Sequence, residues 1–470
     1  YTAPFKPPTA PLTNITNTKL LCCQGSSTTS ATVIPSGSSI TANGDPTASS
    51  DSPFDDPAGF KFGDAGDQNV IKCGSYMGNG SSTGPEINLG FEPQWVMIKN
   101  TGESEGWLIF DSMRGIVSGA NDLFMYADAT TVDQSMDMLE LTPTGFKIKN
   151  SHALVNTDNK TYIYTCVRRP DGYCGKPIET GTDAFNVVYG NSSSTIPNFA
   201  SNFPVDIGIY KEPASSYNWY LHSRLTGLKA LKTDTDDSQG SDDSDATFDA
   251  NAGWGKFGYN TDKASWMLRR HAGMDVVCYT GNDTARWLPH NLNGVPEMIW
   301  VKRRTSSGNW WVYHVGANGG TNPEGKELVL NTNAAETGTN FWAVPTSTHF
   351  YIGGSSHVND TGTKHLVCLF SSVTGVSKVG YYDGSASGQT ITTGFQPRFV
   401  IIKRTDSTGE WYVLDTTRGW GSGNDKVIKL DNNQAQFDHD MGAPTSTGFT
   451  LTNHDDWNNA SKKYIYYAHA

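Results

Sequence analysis

The sequence predicts an all-β protein of four tandem β-sandwich, jelly-roll-like repeats of about 100 residues each, preceded by an extended N-terminal arm. Three observations lead to this expectation. The 470 residues include 49 glycines and 11% aromatic residues, a composition that favours strands and tight turns over helices. Short apolar runs are separated by frequent turn signals. One ordered set of landmarks recurs four times along the chain.

The recurring landmarks begin with a proline that precedes an apolar strand, and a tryptophan opens the next strand 14 or 15 residues later. The proline–tryptophan pairs are Pro93 and Trp107, Pro204 and Trp219, Pro296 and Trp310, and Pro397 and Trp411. The apolar strand usually ends in lysine, as at Lys99 and Lys403. Because these tryptophans recur at one place in the unit, we expect them in equivalent buried positions.

The landmarks divide the chain into an arm and four repeats. The expected ranges are 1–67 for the arm, 68–170 for repeat 1, 183–273 for repeat 2, 274–372 for repeat 3 and 373–470 for repeat 4. Repeat 2 is the most diverged copy. A propeller with two blades per repeat is the alternative architecture, but the halves of a unit do not resemble each other. We therefore expect one sandwich per unit, with the four units in series.

The arm has a composition that does not support a core of its own. Residues 26–52 contain 14 serines or threonines. Such a segment buries too little apolar surface to become ordered alone. We therefore expect it to lie along the repeats or to cross to another subunit. Copies presented together also gain avidity, so we expect a homo-oligomer, by preference a trimer.

Charge and hydropathy exclude some partners. The net charge of −12 and the pI near 5.3 argue against nucleic-acid binding, which needs clustered lysine and arginine. No apolar stretch is long enough to predict a membrane span. The seven cysteines form no CxxC pair, so we expect mostly free, buried thiols rather than a zinc site or a disulfide scaffold. Cys73, Cys166, Cys278 and Cys368 lie in apolar runs.

Two fragments imitate catalytic or nucleotide-binding motifs. Residues 320–327 nearly spell a phosphate-binding loop, but Glu327 replaces the serine or threonine and a strand is expected to follow. We interpret the fragment as a hairpin turn. Asp111 and Arg114 recur as Asp415 and Arg418, which we interpret as ion pairs that close a turn. No catalytic motif stands out, and we expect neither an enzyme nor an organic cofactor.

Two groups of residues are candidates for ligand binding. Asp234, Asp236 and Asp237, followed by Gly240, could offer oxygens to calcium, although a solvated acidic loop is the alternative. The tryptophans that the repeats do not share are candidates for a surface role such as stacking on sugars. They are Trp254, Trp287, Trp342, Trp420 and Trp457.

Several segments resemble known phage proteins. Residues 298–314, 330–332 and 345–347, and again 394–404, resemble a repeat of marine phage tail and virion proteins that is catalogued mostly as a domain of unknown function. Residues 5–12 and 20–24 are similar to the segment that follows laminin-G-like, concanavalin-type domains in cyanophage fibres. The resemblance implies a particle component and supplies no catalytic residues.

We therefore expect a phage virion protein, a tail fibre or other appendage, assembled in the host cytoplasm and involved in host attachment. Its expected partners are other virion proteins and a host cell-surface glycan or protein. A secreted bacterial adhesin or lectin-like surface protein is the alternative. A depolymerase acting on host glycans is the enzymatic alternative. A parallel β-helix would support it, but the repeat is far too long for the coils of a β-helix.

Overall fold

The computed structural model describes two units, residues 1–68 with 173–177 and residues 69–172 with 178–470. The described residues are 12–22, 27–43, 61–62, 70–170, 174–175, 178–191, 196–241, 243–256, 258, 261–292 and 294–470. In the first unit, β1 (Leu21–Cys22) pairs with β2 (Ala31–Val33), and β3 (Lys61–Phe62) pairs with β13 (Cys174–Gly175). Most of the expected arm lies outside the described residues, so its course stays a prediction.

The second unit confirms the all-β fold, with antiparallel sheets in every repeat. In repeat 1 the elements are β4 (Ile71–Met77), β5 (Glu86–Asn88), β6 (Pro93–Asn100), β7 (Leu108–Asp111), β8 (Asp122–Tyr126), β9 (Gln134–Met136), β10 (Leu139–Thr142), β11 (Gly145–Ile148), α1 (Ala153–Asn156) and β12 (Thr161–Arg168). A large sheet has the order β4-β12-β6-β7-β8-β9 and a small sheet the order β10-β11-β5. The first strand therefore pairs with the last, and the second with the penultimate, in the nested manner of a jelly roll.

Repeat 2 keeps a shorter version of this plan. After a 3₁₀ turn at Gly181–Asp183 come β14 (Phe185–Tyr189), β15 (Phe199–Ala200), β16 (Ile207–Lys211), β17 (Tyr220–Ser223), β18 (Leu231–Lys232), β19 (Gly253–Trp254) and β20 (Ala264–Leu268). The large sheet has the order β14-β20-β16-β17-β18, and the small sheet pairs β15 with β19. The divergence seen in the sequence thus shortens the sheets but does not change the strand order.

Repeats 3 and 4 return to six-stranded large sheets. Repeat 3 has β21 (Met274–Thr280), β22 (Arg286–Pro289), β23 (Met298–Arg303), β24 (Trp310–His314), 3₁₀ turns at Ala317–Gly320 and Pro323–Gly325, β25 (Lys326–Val329), β26 (Thr337–Gly338), β27 (His349–Ile352), α2 (Ser356–Asn359) and β28 (Lys364–Phe370). Repeat 4 has β29 (Ser377–Asp383), β30 (Gln389–Thr392), β31 (Phe399–Arg404), β32 (Trp411–Asp415), β33 (Asp425–Lys429), β34 (Phe437–His439), β35 (Pro444–Thr445), β36 (Gly448–Leu451) and β37 (Lys463–His469). Their large sheets have the orders β21-β28-β23-β24-β25-β26 and β29-β37-β31-β32-β33-β34, and their small sheets β22-β27 and β30-β36-β35.

Each large sheet has an inner face, which packs on the small sheet of the same repeat, and an outer face. Along β31, Val400 and Ile402 point inward and contact the cluster that contains Phe449 of the small sheet. Phe399 and Ile401 alternate with them on the outer face and are also buried, in a cluster shared between repeats. Burial of both faces explains the nearly continuous apolar run of this strand.

The sequence analysis predicted four units in series. In the structure, repeats 2, 3 and 4 instead close into a ring. Their outer faces meet in one apolar core around a cavity of about 30 Å³. Ile209, Trp300 and Ile401, one from each repeat, line this cavity. Repeat 1 contacts repeats 2 and 3 but contributes no lining residue. The spacing of the repeats along the sequence does not indicate that three of them form a ring.

Candidate functional site: the outer faces of the large sheets

The shared tryptophans join the three ring repeats. Each one opens or immediately precedes its strand, and its indole Nε1–H donates to a main-chain carbonyl of another repeat. Trp219 donates to Lys429 at 2.7 Å, Trp310 to Lys232 at 2.7 Å and Trp411 to Val329 at 3.0 Å. Repeat 2 therefore donates to repeat 4, repeat 4 to repeat 3 and repeat 3 to repeat 2. The contacts form a closed, pseudo-three-fold cycle.

The lysine that ends the apolar strand follows the same cycle. Its ammonium donates to a carbonyl in the loop that follows the accepting strand of the other repeat. The bonds run from Lys211 to Asn433 at 3.0 Å, from Lys302 to Asp236 at 3.3 Å and from Lys403 to Asn333 at 3.3 Å. Burial lowers the pKa of each of these lysines to about 8. The carbonyl oxygens replace part of the lost hydration.

A third, main-chain bond completes each interface. The amide of Gln239 donates to the Arg304 carbonyl at 2.7 Å, that of Glu336 to Thr405 at 2.8 Å and that of Gln436 to Pro213 at 2.7 Å. Each accepting carbonyl lies two residues after the interface lysine of its own repeat. Every interface therefore has the same three hydrogen bonds in the same arrangement.

Repeat 1 carries the same residues but not the same contacts. Trp107 is only half-buried, so the expected burial is confirmed for Trp219, Trp310 and Trp411 and wrong for Trp107. The Trp107 amide still donates to Asp128, as the Trp310 amide does to Asn331. In the part of the chain that the structure describes, neither the Trp107 indole nor the Lys99 ammonium donates to another repeat. Among the residues placed in the structure, no neighbouring repeat covers the outer face of repeat 1.

A buried ion network joins repeat 1 to the ring from another side. Arg270 donates from Nη1 to both carboxylate oxygens of Glu92, at 2.8 and 2.9 Å, and from Nε to Asp206 at 3.2 Å. Arg169 lies 3.4 Å from Glu92 and 3.6 Å from Asp275. Burial alone would raise the pKa of Asp206, but Arg270 and Arg224 hold it below its usual value. These charges are stabilised by each other and by main-chain amides, since Asp206 accepts from the Arg270 amide at 2.7 Å and Asp275 from the Asn291 amide at 2.8 Å.

His314 lies buried between repeats 3 and 4. Its Nδ1 accepts from the Gly316 amide at 2.9 Å, and its Nε2 faces the Tyr466 carbonyl at 3.4 Å. Burial lowers the pKa of His314 to about 3. An unfolded histidine takes up its proton near pH 6.5, so the unfolded state binds more protons between that pH and the folded pKa. The contribution of His314 to stability is complete above this window and is lost as the pH falls through it.

We expect the wild type to lose stability on acidification relative to the variant His314→Gln, which lacks the titrating imidazole. On acidification from about pH 6 to about pH 4, the wild type should lose about 1.4 kcal/mol of unfolding free energy per pH unit relative to the variant. Urea denaturation over this pH range measures the difference. His349→Gln is the control, because that side chain is only half-buried on a small sheet. An equal pH dependence of wild type and His314→Gln would contradict the neutral state of His314.

The predicted calcium ligands do not come together. The Asp234 carboxylate accepts the Trp219 amide, the Asp237 carboxylate pairs with Lys232 at 3.0 Å, and the Asp236 carbonyl accepts from Lys302. Among the described residues, no group of three histidine, cysteine or acidic side chains could hold a metal ion. Part of the acidic run lies in the interface between repeats 2 and 3, and calcium binding at these aspartates stays a prediction.

Four of the five unshared tryptophans are not surface residues. Trp254, Trp342, Trp420 and Trp457 are buried on the inner sides of their sandwiches, with exposed fractions of 0%, 5%, 4% and 1%. Each fills the space between the two sheets of its own repeat, which the pattern of shared positions does not reveal. Trp287 alone matches the expectation, with 45% exposure on the small sheet of repeat 3. Its ring centroid lies 5.3 Å from that of Tyr351 on the paired strand.

The two motif-like fragments have the structural roles predicted for them. The Asp111–Arg114 and Asp415–Arg418 pairs each close a turn at 2.6 Å. Residues 315–325 connect the antiparallel strands β24 and β25, so a strand follows the loop-like fragment. Of the cysteines in apolar runs, Cys166 and Cys368 are buried and Cys278 is half-buried. Cys73 is exposed, contrary to expectation, because it lies on the uncovered outer face of repeat 1.

A cleft of about 690 Å³ with polar and apolar lining residues lies between repeats 1 and 2. The turn after β7, with Ser112 and Arg114, forms one wall, and residues 226–229 and 246–249 form another. Arg224 in its floor donates to the Phe248 and Val205 carbonyls. The cleft is large enough for a polar ligand, and its walls offer hydrogen-bond donors.

The sequence analysis missed the interface lysines. Lysine at the end of an apolar strand was visible as a recurring feature, and Lys211, Lys302 and Lys403 prove to be fully buried. A lysine that recurs on the outer face of an apolar strand is a signal for a buried donor, because lysine is seldom fully buried without a partner. This pattern identifies the donor. It does not identify the acceptor, because the acceptor belongs to another repeat.

Comparisons with known proteins identify the family. No helix among the described residues is long and apolar enough to cross a membrane. No curated protein matches the chain. A family model described as "Domain of unknown function (DUF7483)" matches residues 24–169 and 259–470, well over half of the chain, and the unmatched interval covers most of the diverged repeat 2. The chain therefore belongs to the DUF7483 family.

Proposed function

We propose that the chain is a non-enzymatic structural component of a phage virion, a tail fibre or other appendage that takes part in host attachment. The observation that carries this proposal is the ring of repeats 2, 3 and 4. Its interfaces place Trp310 and Lys302, with their equivalents, in a continuous core. A chain whose shared residues join one sandwich to the next is suited to bearing load in an assembly.

The resemblance of the repeats to marine phage tail and virion proteins supports the same proposal. The acidic charge of −12 suits a protein that must stay soluble at high copy number before assembly. On this proposal the partners are other virion proteins and a host surface glycan or protein.

Fractionation of phage particles tests the proposal. An antibody against the purified chain should detect it in particles banded on a density gradient, at a constant ratio to the major capsid protein. Electron microscopy of the same particles should then place it on an appendage. Detection only on bacterial cells or in the culture medium would contradict the virion role and favour the adhesin.

A lectin-like adhesin is the second candidate, because the exposed Trp287 lies beside the half-buried Tyr351 on the small sheet of repeat 3. Aromatic rings of this kind stack on the apolar faces of sugars. We expect a glycan array to detect binding that Trp287→Ala abolishes and that Val344→Ala, an exposed aliphatic change in the same repeat, preserves. Glycan binding that survives Trp287→Ala would place the sugar site elsewhere, for instance in the cleft between repeats 1 and 2.

A further inference from the structure

We propose that the outer face of repeat 1 binds two further copies of this chain, so that three repeats 1 form the ring that repeats 2, 3 and 4 form within one chain. This inference does not depend on the virion role. It follows from an interface that is formed three times in the molecule and from a fourth copy of the same surface, which no other repeat covers among the described residues.

The side chains of this face are apolar but poorly covered. Trp95, Met97, Trp107 and Ile109 are half-buried, and Ile163 is 37% exposed. The strand register gives the equivalents of Ile163 directly, because each pairs with the interface lysine of its repeat. They are Ala264 and Leu366, each with 0% exposure, and Ile465, with 1%. Covering such a face with the same surface of another copy removes apolar area from water.

The donors and acceptors needed for the ring are all present in repeat 1. In the ring, the carbonyl that accepts the indole lies two residues before the side chain that caps the tryptophan amide, as Val329 lies before Asn331. The capping residue of repeat 1 is Asp128, so the Tyr126 carbonyl should accept the Trp107 indole of another copy. By the same spacing, Lys99 should donate to the Thr130 carbonyl of another copy. In return, the Asp133 amide of that other copy should donate to the Thr101 carbonyl of the first copy.

Repeat 1 uses a different side to contact the ring of its own chain. The Ser118 carbonyl accepts from Arg304 at 2.9 Å, and the Pro143 carbonyl, at the turn of the small sheet, accepts from Asn291 at 3.0 Å. Glu92, which precedes β6, holds Arg270. None of these residues belongs to the outer face, so these contacts between repeat 1 and the ring leave that face uncovered.

Both the donor set and the acceptor set lie on one repeat, which makes the interface head-to-tail. A head-to-tail interface closes when its rotation divides a full turn, and the ring within the chain shows that this interface closes at three. The occupant is therefore the same chain, and the expected assembly is a homotrimer rather than a dimer or a filament.

Light scattering and a designed disulfide test the proposal on the full chain. The wild type should be a trimer, and Ile163→Glu should be a monomer because it would bury three carboxylates. Val344→Glu, a matched exposed site in repeat 3, should leave the trimer intact. Since residues joined by a cross-strand hydrogen bond lie within disulfide reach, Thr101→Cys with Asp133→Cys should give a covalent trimer on non-reducing gels. Either cysteine alone should not.

Maleimide labelling of Cys73, read by peptide mass spectrometry, gives a second readout on the same face. Labelling should be slow in the wild type and fast in Ile163→Glu. A monomeric or dimeric wild type would overturn the proposal, as would a trimer that survives Ile163→Glu and does not cross-link. A monomer with protected Cys73 would show that residues of the same chain cover the face, which also overturns it.

Discussion

Trp310→Ala is expected to lower the free energy of unfolding by about 3–5 kcal/mol. The side chain is completely buried in the core of the ring, and its indole supplies the hydrogen bond to Lys232 of repeat 2. The substitution therefore creates a cavity and leaves a buried carbonyl without its donor. Chemical denaturation of the full chain, monitored by tryptophan fluorescence and circular dichroism, measures the loss.

Two further variants separate the causes. Trp310→Phe keeps most of the apolar volume but removes the indole donor, so it should lose about 1–3 kcal/mol. Trp287→Ala removes a tryptophan that is 45% exposed and should stay within about 1 kcal/mol of the wild type. Equal stability of Trp310→Ala and Trp287→Ala would show that the ring core does not depend on the shared tryptophans.

Arg270→Met is expected to cost about 3–5 kcal/mol, because it leaves Glu92 and Asp206 buried without their main counter-charge. The loss should be largest above about pH 4, where unfolded aspartate is ionised, and should diminish as the pH falls through the lowered folded pKa of Asp206. Thermal or urea unfolding at several pH values measures both effects.

Lys426→Met is the control for this variant, because the Lys426–Asp438 pair is half-exposed at 2.6 Å. Loss of an exposed pair should cost at most about 1 kcal/mol. Adding Glu92→Gln to Arg270→Met should recover part of the stability, since it removes the charge that the arginine neutralised. A double variant no more stable than Arg270→Met would argue against an uncompensated charge at Glu92.

The repeats, their β-sandwich nature and the ion pairs at Asp111 and Asp415 could be predicted from the sequence, because each depends on residues close together in the chain. The ring could not, since Trp310 and Lys232 belong to different repeats and no local pattern records that they meet. The recurrence of the shared tryptophans predicted equivalent buried positions but did not distinguish the inner from the outer face. For that reason Trp254 was assigned to the surface, although it lies between the sheets of its sandwich.

The three ring interfaces depend on main-chain acceptors, and this has a consequence for how the sequence can change. A carbonyl oxygen is the same whichever side chain its residue carries, as the acceptors Lys429, Lys232 and Val329 illustrate. Only the side-chain donors, tryptophan and lysine, are restricted in identity. A gene built by duplication of such a unit can accumulate substitutions in most positions of each copy while the copies still recognise one another. Repeat 2 has shortened sheets and an acidic run, but it remains part of the ring because it keeps the donors Trp219 and Lys211 and supplies main-chain acceptors.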